Sequence, residues 1–259
     1  MALIHLDHHS EALGMAMSAT VVLPQQTTSQ IGMAGRRGDR IPVLWLLHGL
    51  SDDHTIWERR TSVERYAAKY GIAVVMPNGH RSWYTDMHSG GKYFSYISEE
   101  LPALCRSFFR GFSEEREDNY VAGLSMGGYG TLKLAMTHPE RYAGAASFSG
   151  ALDVADHRFK TAFPALWESV FGPIDRIAGS ENDLFALVKK PEFIKNPPRL
   201  YLSCGTEDAL LETNRKMKAE LDRLGVPVRY REAPGNHTWE FWDAEIQLAL
   251  AFFFEEKGQ

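Results

Sequence analysis

Ser125 lies in the stretch "YVAGLSMGGYG", Tyr120–Gly130, among glycines at 123, 127, 128 and 130. Glycine costs backbone entropy in ordered structure, so a cluster marks a place where geometry leaves no room for a Cβ. The core "GLSMG" fits Gly-x-Ser-x-Gly, the sharp strand-to-helix turn that lifts a nucleophilic serine clear of a sheet. On so tight a turn Gly123 and Gly127 come close together, and Gly128 lets the following helix close on the sheet. The start of that helix also offers free N–H groups and the positive end of a dipole, which suit negative charge developing on a carbonyl oxygen. The chemistry implied is acyl transfer through a serine intermediate. The bland alternative is a serine that only caps a helix between packing glycines.

A serine at its free pKa is a poor nucleophile and needs an adjacent base, itself oriented by a third group. For a nucleophile on such a turn the chain order is serine, acid, histidine. Of the ten histidines, His54, His80 and His88 precede the serine, and His138 ends a helix next to Pro139. His157 falls in an aromatic-rich insertion. His237, in "APGNHTWEFW", follows the last strand-like segment and precedes the last helix, which makes it the candidate base. The acid belongs after the preceding strand, where "YLSCGTEDALL" offers Glu207 and Asp208. Asp208 is preferred because it begins the turn into "ALL" and its shorter side chain is easier to fix; Glu207 is the reserve and Asp153 a weaker candidate. The acid would hold the imidazole tautomer and stabilise the imidazolium.

The tetrahedral oxyanion needs two convergent N–H donors. Met126, directly after the serine, is one candidate. The other comes from "HGLSDD" after "VLWLL": Leu50, with Gly49 as the alternative and as a residue whose backbone can lie close to substrate. Further substrate-binding candidates are Trp83, Tyr84 and Asp86 in "HRSWYTD", although Trp83 and Tyr84 could equally brace that loop.

These residues must be carried by an alternation of strands and helices. Leu3–His8 and Met15–Leu23 read as strands joined by a short turn, and the polar stretch Pro24–Arg40 as a loop. "PVLWLL", "IAVVM", "NYVAG", "AASFS" and "RLYLSC" read as strands, and the unbroken apolar runs among them suit strands buried on both faces. "VRYRE" alternates, as expected nearer a sheet edge. Helices are expected over Ser62–Tyr70, Tyr93–Phe109, the segment after Ser125, Glu212–Leu224 and Glu240–Phe254. The second carries Phe94, Ile97, Leu101, Leu104, Cys105 and Phe108 at helical spacing, with a kink or break at Pro102. Such alternation implies a mostly parallel sheet with helices on both faces, whose ligands bind at the C-terminal ends of the strands. Residues 151–198 form an insertion in which Phe159, Phe163, Leu166, Trp167 and Phe171 point to short helices over the site.

The 259 residues, 44% apolar and 24% charged, suit one large α/β domain spanning 1–259. A net charge of −5 leaves no electrostatic footprint for nucleic acid. "MALIHLDHHSEALG" lacks the basic start and long apolar core of a signal peptide, and runs such as "LALAFFF" are too short for a bilayer. Cys105 and Cys204 are too few for a disulfide framework or a cysteine zinc site. His5, His8 and His9 fit alternation in a first strand and its turn as well as they fit metal ligands, and "GRRGDR" reads as a surface turn. The expectations are a cytoplasmic protein with no cofactor and no metal. Its partner would be a small-molecule acyl ester, with no nucleic acid and no membrane; a homo-oligomer is left open.

In combination, "LLHGLSDDHTIW", "MPNGHRSWYTD", "AGLSMGGYGTLKLA", "CGTEDALL" and "NHTWEFW" resemble the esterase D-type α/β-hydrolases, above all the bacterial tributyrin esterases. The resemblance runs from about Leu3 to Phe254. It implies an α/β-hydrolase fold with a small helical cap, and a serine carboxylesterase acting on short-chain acyl esters. It places nucleophile, acid and base on Ser125, Asp208 and His237, and the oxyanion donors on Leu50 and Met126. S-formylglutathione hydrolases and mycolyltransferase-type acyltransferases are more distant cousins. The former usually carry Thr-Cys after the His-Gly-Leu turn, where this chain has Ser51-Asp52-Asp53, and their base segment differs from Asn236-His237-Thr238. That weakens the glutathione-thioester reading. A thioesterase, a feruloyl esterase, an acyltransferase or a non-catalytic binding protein on the same scaffold are the alternatives.

Overall fold

Eight strands form one sheet in the order β1-β2-β4-β3-β5-β6-β7-β8 in the computed structural model, which describes residues 1–27, 29, 31, 39–156 and 161–255. The strands are β1 (Ala2–Ser10), β2 (Met15–Leu23), β3 (Val43–Leu47), β4 (Ala73–Pro77), β5 (Asn119–Leu124), β6 (Gly144–Phe148), β7 (Arg199–Gly205) and β8 (Val228–Ala233). β1 and β2 form an antiparallel hairpin that adds antiparallel to β4; β4, β3, β5, β6, β7 and β8 run parallel. This is an α/β-hydrolase sheet. The two edge strands, β1 and β8, alternate in burial, while β3, β4, β5 and β6 are buried at every position.

The period of two along a strand divides the apolar residues between two layers. Val43, Trp45 and Leu47 face one core with Val121 and Leu202; Leu44 and Leu46 face the other with Tyr120, Ala122 and Phe148. The first core is closed by helices α3 (Leu101–Phe108), α4 (Met126–Thr137) and α8 (Leu211–Arg223), through residues such as Leu101, Cys105, Leu132 and Met217. The second is closed by α1 (Ile56–Arg60), α2 (Val63–Tyr70) and α9 (Trp239–Phe254), through Trp57, Tyr66, Ile246 and Phe253. Ser62 precedes α2 and Gly71 ends it in the left-handed region at φ 62°.

The helix expected over Tyr93–Phe109 is composite. A single turn (Tyr93–Ser95) passes through a π segment (Tyr96–Glu100) into α3; Pro102 stands just past that junction, where its missing N–H breaks the regular ladder, and Ser98 O accepts instead from Arg141 Nη1 at 3.0 Å. Ile97, Leu101 and Cys105 are buried as expected, but Phe108 is 55% exposed. The helix stops there, and Phe109 turns back to pack on Phe112 with ring centroids 5.1 Å apart.

Between β6 and β7 the described part of the insertion holds α5 (Pro164–Phe171), α6 (Leu184–Leu187) and α7 (Pro191–Lys195). It is stitched to the loop after β4, where the N–H groups of His88 and Ser89 donate to Val170 and Ser169 oxygens at 2.9 and 2.8 Å. It is also stitched to α4, where Lys133 Nζ donates to Asn182 Oδ1 at 2.6 Å and Tyr129 Oη to Asn182 O at 2.8 Å. Phe159, His157 and most of the "GRRGDR" segment lie outside the described residues. Among the described residues no helix is long and apolar enough to cross a membrane.

Candidate active site

The turn between β5 and α4 holds Ser125 at φ 54° and ψ −115°. Such a backbone costs a non-glycine residue on the order of 1–3 kcal/mol and persists only where its surroundings fix it. Here they do: Ser125 N–H donates to Phe148 O at 2.9 Å, and Ser125 O accepts from Tyr129 and Ala151 N–H, both at 3.1 Å. A Cβ on Gly123 would stand 2.5 Å from Gly127 O, and one on Gly127 would stand 2.5 Å from Leu47 O. Strand, turn and helix are too close for any side chain at those two positions.

His237 sits in the loop between β8 and α9, and Asp208 in the turn after β7. Nδ1 of His237 and Oδ2 of Asp208 are 2.8 Å apart. The Asp208 side chain is wholly buried, whereas that of His237 is 36% exposed. Burial by itself pushes the Asp208 carboxyl up. The hydrogen bond and charge of His237, the Leu210 N–H and the Ser149 hydroxyl outweigh it and hold the group below the ordinary carboxylate value. Leu210 N–H donates to Oδ1 at 2.8 Å, so both carboxylate oxygens are engaged. The imidazole is further fixed by the edge of Trp242, at 4.8 Å between ring centroids.

The other acids have separate tasks. Glu207 accepts from Gly235 N–H at 2.5 Å and buttresses the loop carrying His237. Asp153 lies 3.5 Å from Lys216 Nζ. Among the remaining histidines, His48 is buried at the end of β3, and desolvation pushes its pKa down to about 4.

Ser125 and His237 line one cleft of about 760 Å³ at the C-terminal ends of the strands. Gly49, Leu50, Met126 and Trp83 line it too. Tyr84 and Asp86 do not. Tyr84 is fully buried, its ring filling the space beside Gly79 and Gly130, and its hydroxyl donates to His48 O at 3.0 Å. Asp86 accepts from Ser95 N–H and Oγ at 2.9 and 2.7 Å. Both brace the loop after β4 from behind.

The cleft also takes in Asp52, Arg60, Phe163, Trp239 and Trp242. Burial raises the Asp52 carboxyl above its ordinary value. Of these, Trp239 and Trp242 closely follow His237 in "NHTWEFW", so their nearness in sequence was a usable signal. Arg60 sits on the single-turn helix α1, too short to show any periodicity.

Comparison with known proteins identifies the family. The family model described as "Putative esterase" matches residues 10–253. An acetyl esterase of Caldicellulosiruptor saccharolyticus is 29% identical over 259 residues, covering 96% of this chain and 97% of that one. Among solved structures, the fluorophosphonate-binding serine hydrolase FphF of Staphylococcus aureus superposes with a TM-score of 0.88 at 34% identity, covering 98% of both chains. The S-formylglutathione hydrolase FrmB of Staphylococcus aureus does so with a TM-score of 0.84 at 33% identity, again over 98% of both. With its matched span running from β1 to the end of α9, the chain belongs to this esterase family and is a carboxylic ester hydrolase of the α/β-hydrolase fold.

Proposed function

We propose that this chain is a serine carboxylesterase that hydrolyses short-chain acyl esters, acetyl to butyryl, through an acyl-enzyme on Ser125. The observation that carries the reading is the 2.8 Å contact between Asp208 and His237, opening onto a cleft that also holds the strained Ser125. Ser125 Oγ attacks the ester carbonyl while His237 takes its proton. The oxyanion rests on the N–H groups of Met126, at the start of α4, and of Leu50. Leu50 is the better second donor than Gly49, because the Asp52 carboxyl folds back on the Gly49 amide. The C–O bond breaks and the alcohol leaves with the proton from His237. Water then repeats the sequence on the acyl-enzyme and frees the acid and the serine. His237 acts as the base in its neutral form.

A short acyl group fits the apolar wall of the cleft. Trp83 stands there with Trp167 and Phe171 packed behind it, at 4.9 and 5.8 Å between ring centroids. That solid backing closes the wall behind Trp83 and supports a preference for short acyl groups.

The test is a panel of p-nitrophenyl acetate, butyrate and octanoate, S-formylglutathione and a feruloyl ester, run on the wild type and Ser125→Ala. The expected result is highest kcat/KM on acetate or butyrate, labelling by a fluorophosphonate, and loss of both in Ser125→Ala by several orders of magnitude with binding largely kept. Near-normal ester turnover in Ser125→Ala defeats the mechanism. Preference for the thioester by orders of magnitude would favour the second reading, which the likeness to FrmB supports.

A further inference from the structure

His48 takes no part in the pairing of Asp208 with His237, yet both of its ring nitrogens are committed to backbone. The residue directly follows β3 and is 1% exposed. Its Nδ1 lies 2.7 Å from Gly49 O, and Gly79 N–H donates to its Nε2 at 2.9 Å. A backbone amide only donates and a carbonyl only accepts. Nε2 is therefore bare, Nδ1 carries the proton, and the ring is neutral. Burial favours the same state, holding the imidazole pKa far below its ordinary value. Tyr84 completes the arrangement by donating to His48 O.

The consequence falls on the next peptide. In a planar trans peptide the C=O and the N–H point in opposite directions. The Gly49 carbonyl is turned toward the buried imidazole and also accepts from Asp52 N–H at 3.2 Å. The other end of that peptide is the Leu50 N–H, which must point away from His48, and Leu50 lines the cleft that holds Ser125. We propose that His48 is a positioning residue for the oxyanion. It clamps the loops after β3 and β4 together and fixes the Gly49–Leu50 peptide with its N–H aimed into the cleft. Tyr84 and Gly79 belong to the same clamp. The inference rests on Leu50 being an oxyanion donor.

Two variants and one spectroscopic measurement test it. His48→Phe keeps a buried ring and removes both polar atoms; His48→Gln keeps one donor and one acceptor. Each is assayed for kcat and KM on p-nitrophenyl acetate and for affinity toward a trifluoromethyl ketone, which adds the serine to form an anionic tetrahedral adduct. His48→Phe should lose about 10²–10³ in kcat, the scale of one oxyanion donor, with a parallel loss in ketone affinity and little change in KM. His48→Gln should recover part of both. Unchanged kcat and ketone affinity in His48→Phe overturn the proposal. Whether or not that variant folds, ¹⁵N NMR of the wild-type imidazole at neutral pH should show Nδ1 protonated and Nε2 bare; the opposite tautomer, or an imidazolium, also overturns it. Failure of the parent reading looks different. Turnover surviving in Ser125→Ala removes the esterase mechanism itself, whereas a wild type killed by that change but indifferent to His48→Phe removes only the clamp.

Discussion

Asp208 is the most constrained ionisable group of the site. Its carboxylate has no exposed surface, accepts from Leu210 N–H and faces His237 at 2.8 Å. Replacing it with Asn keeps the shape and removes the charge. The amide then donates where the acid accepted, which favours the wrong imidazole tautomer. The expected loss is about 10⁴ in kcat, as for the same change in other serine triads. The pH dependence follows from the depressed folded-state pKa. Unfolded Asp208 titrates near its ordinary value of 3.8, and the folded group below it. Its contribution to stability is therefore complete above that value and is lost as pH falls through the folded pKa. Urea midpoints of wild type and Asp208→Asn should differ at neutral pH and converge in that acid window. A constant gap down to the most acid point would mean that the charge adds nothing to stability.

The helix that begins at Ser125 also shows how far the sequence could be read. The central strands were legible because burial on both faces demands unbroken apolar runs, as in β3 and β5. α4 was legible from its position after the glycine turn. α1 was not, since five residues make little more than one turn. Phe108 keeps the helical spacing yet is exposed, because it is the last residue of α3 and it is Phe109, just past the helix, that turns back onto Phe112. Nor does periodicity announce a buried charge. Lys133, on α4, is 3% exposed, bonded to Asn182 and lying 4.7 Å from the Phe94 ring. Desolvation lowers its pKa from 10.5 to about 8. Between those values the unfolded chain keeps the proton and the folded chain does not, so stability rises with pH across that interval. Lys133→Met removes the effect. Its stability relative to wild type should be greatest near pH 7 and should decline from about pH 8 to 10.5, read as the difference in urea midpoints. A pH-independent difference would show that the ammonium is solvated after all.

Over the molecule as a whole, the site is made where one sheet, two loop systems and the insertion meet. Sequence reasoning named Ser125, Asp208 and His237 because each follows a strand that could be recognised, and strand ends in a parallel sheet share one rim. It could not separate Trp83, which lines the cleft, from Tyr84 and Asp86, which brace it. A position after a strand fixes the end of the sheet but not the side a side chain takes. Trp83 is held by the insertion: Trp167 meets it edge-on, and Phe171 packs on Trp83, Trp167 and Tyr129. Truncating Trp167 to Ala leaves the lining unchanged but removes its backing. The cavity costs about 3–5 kcal/mol, so the protein becomes less stable and the Trp83 ring gains room to retreat. The acyl recess then deepens. The ratio of kcat/KM on p-nitrophenyl octanoate to that on the butyrate should rise in Trp167→Ala, even as the melting temperature falls. A folded variant with the wild-type ratio would mean that chain length is limited elsewhere, with Phe163 at the mouth of the cleft the next residue to truncate.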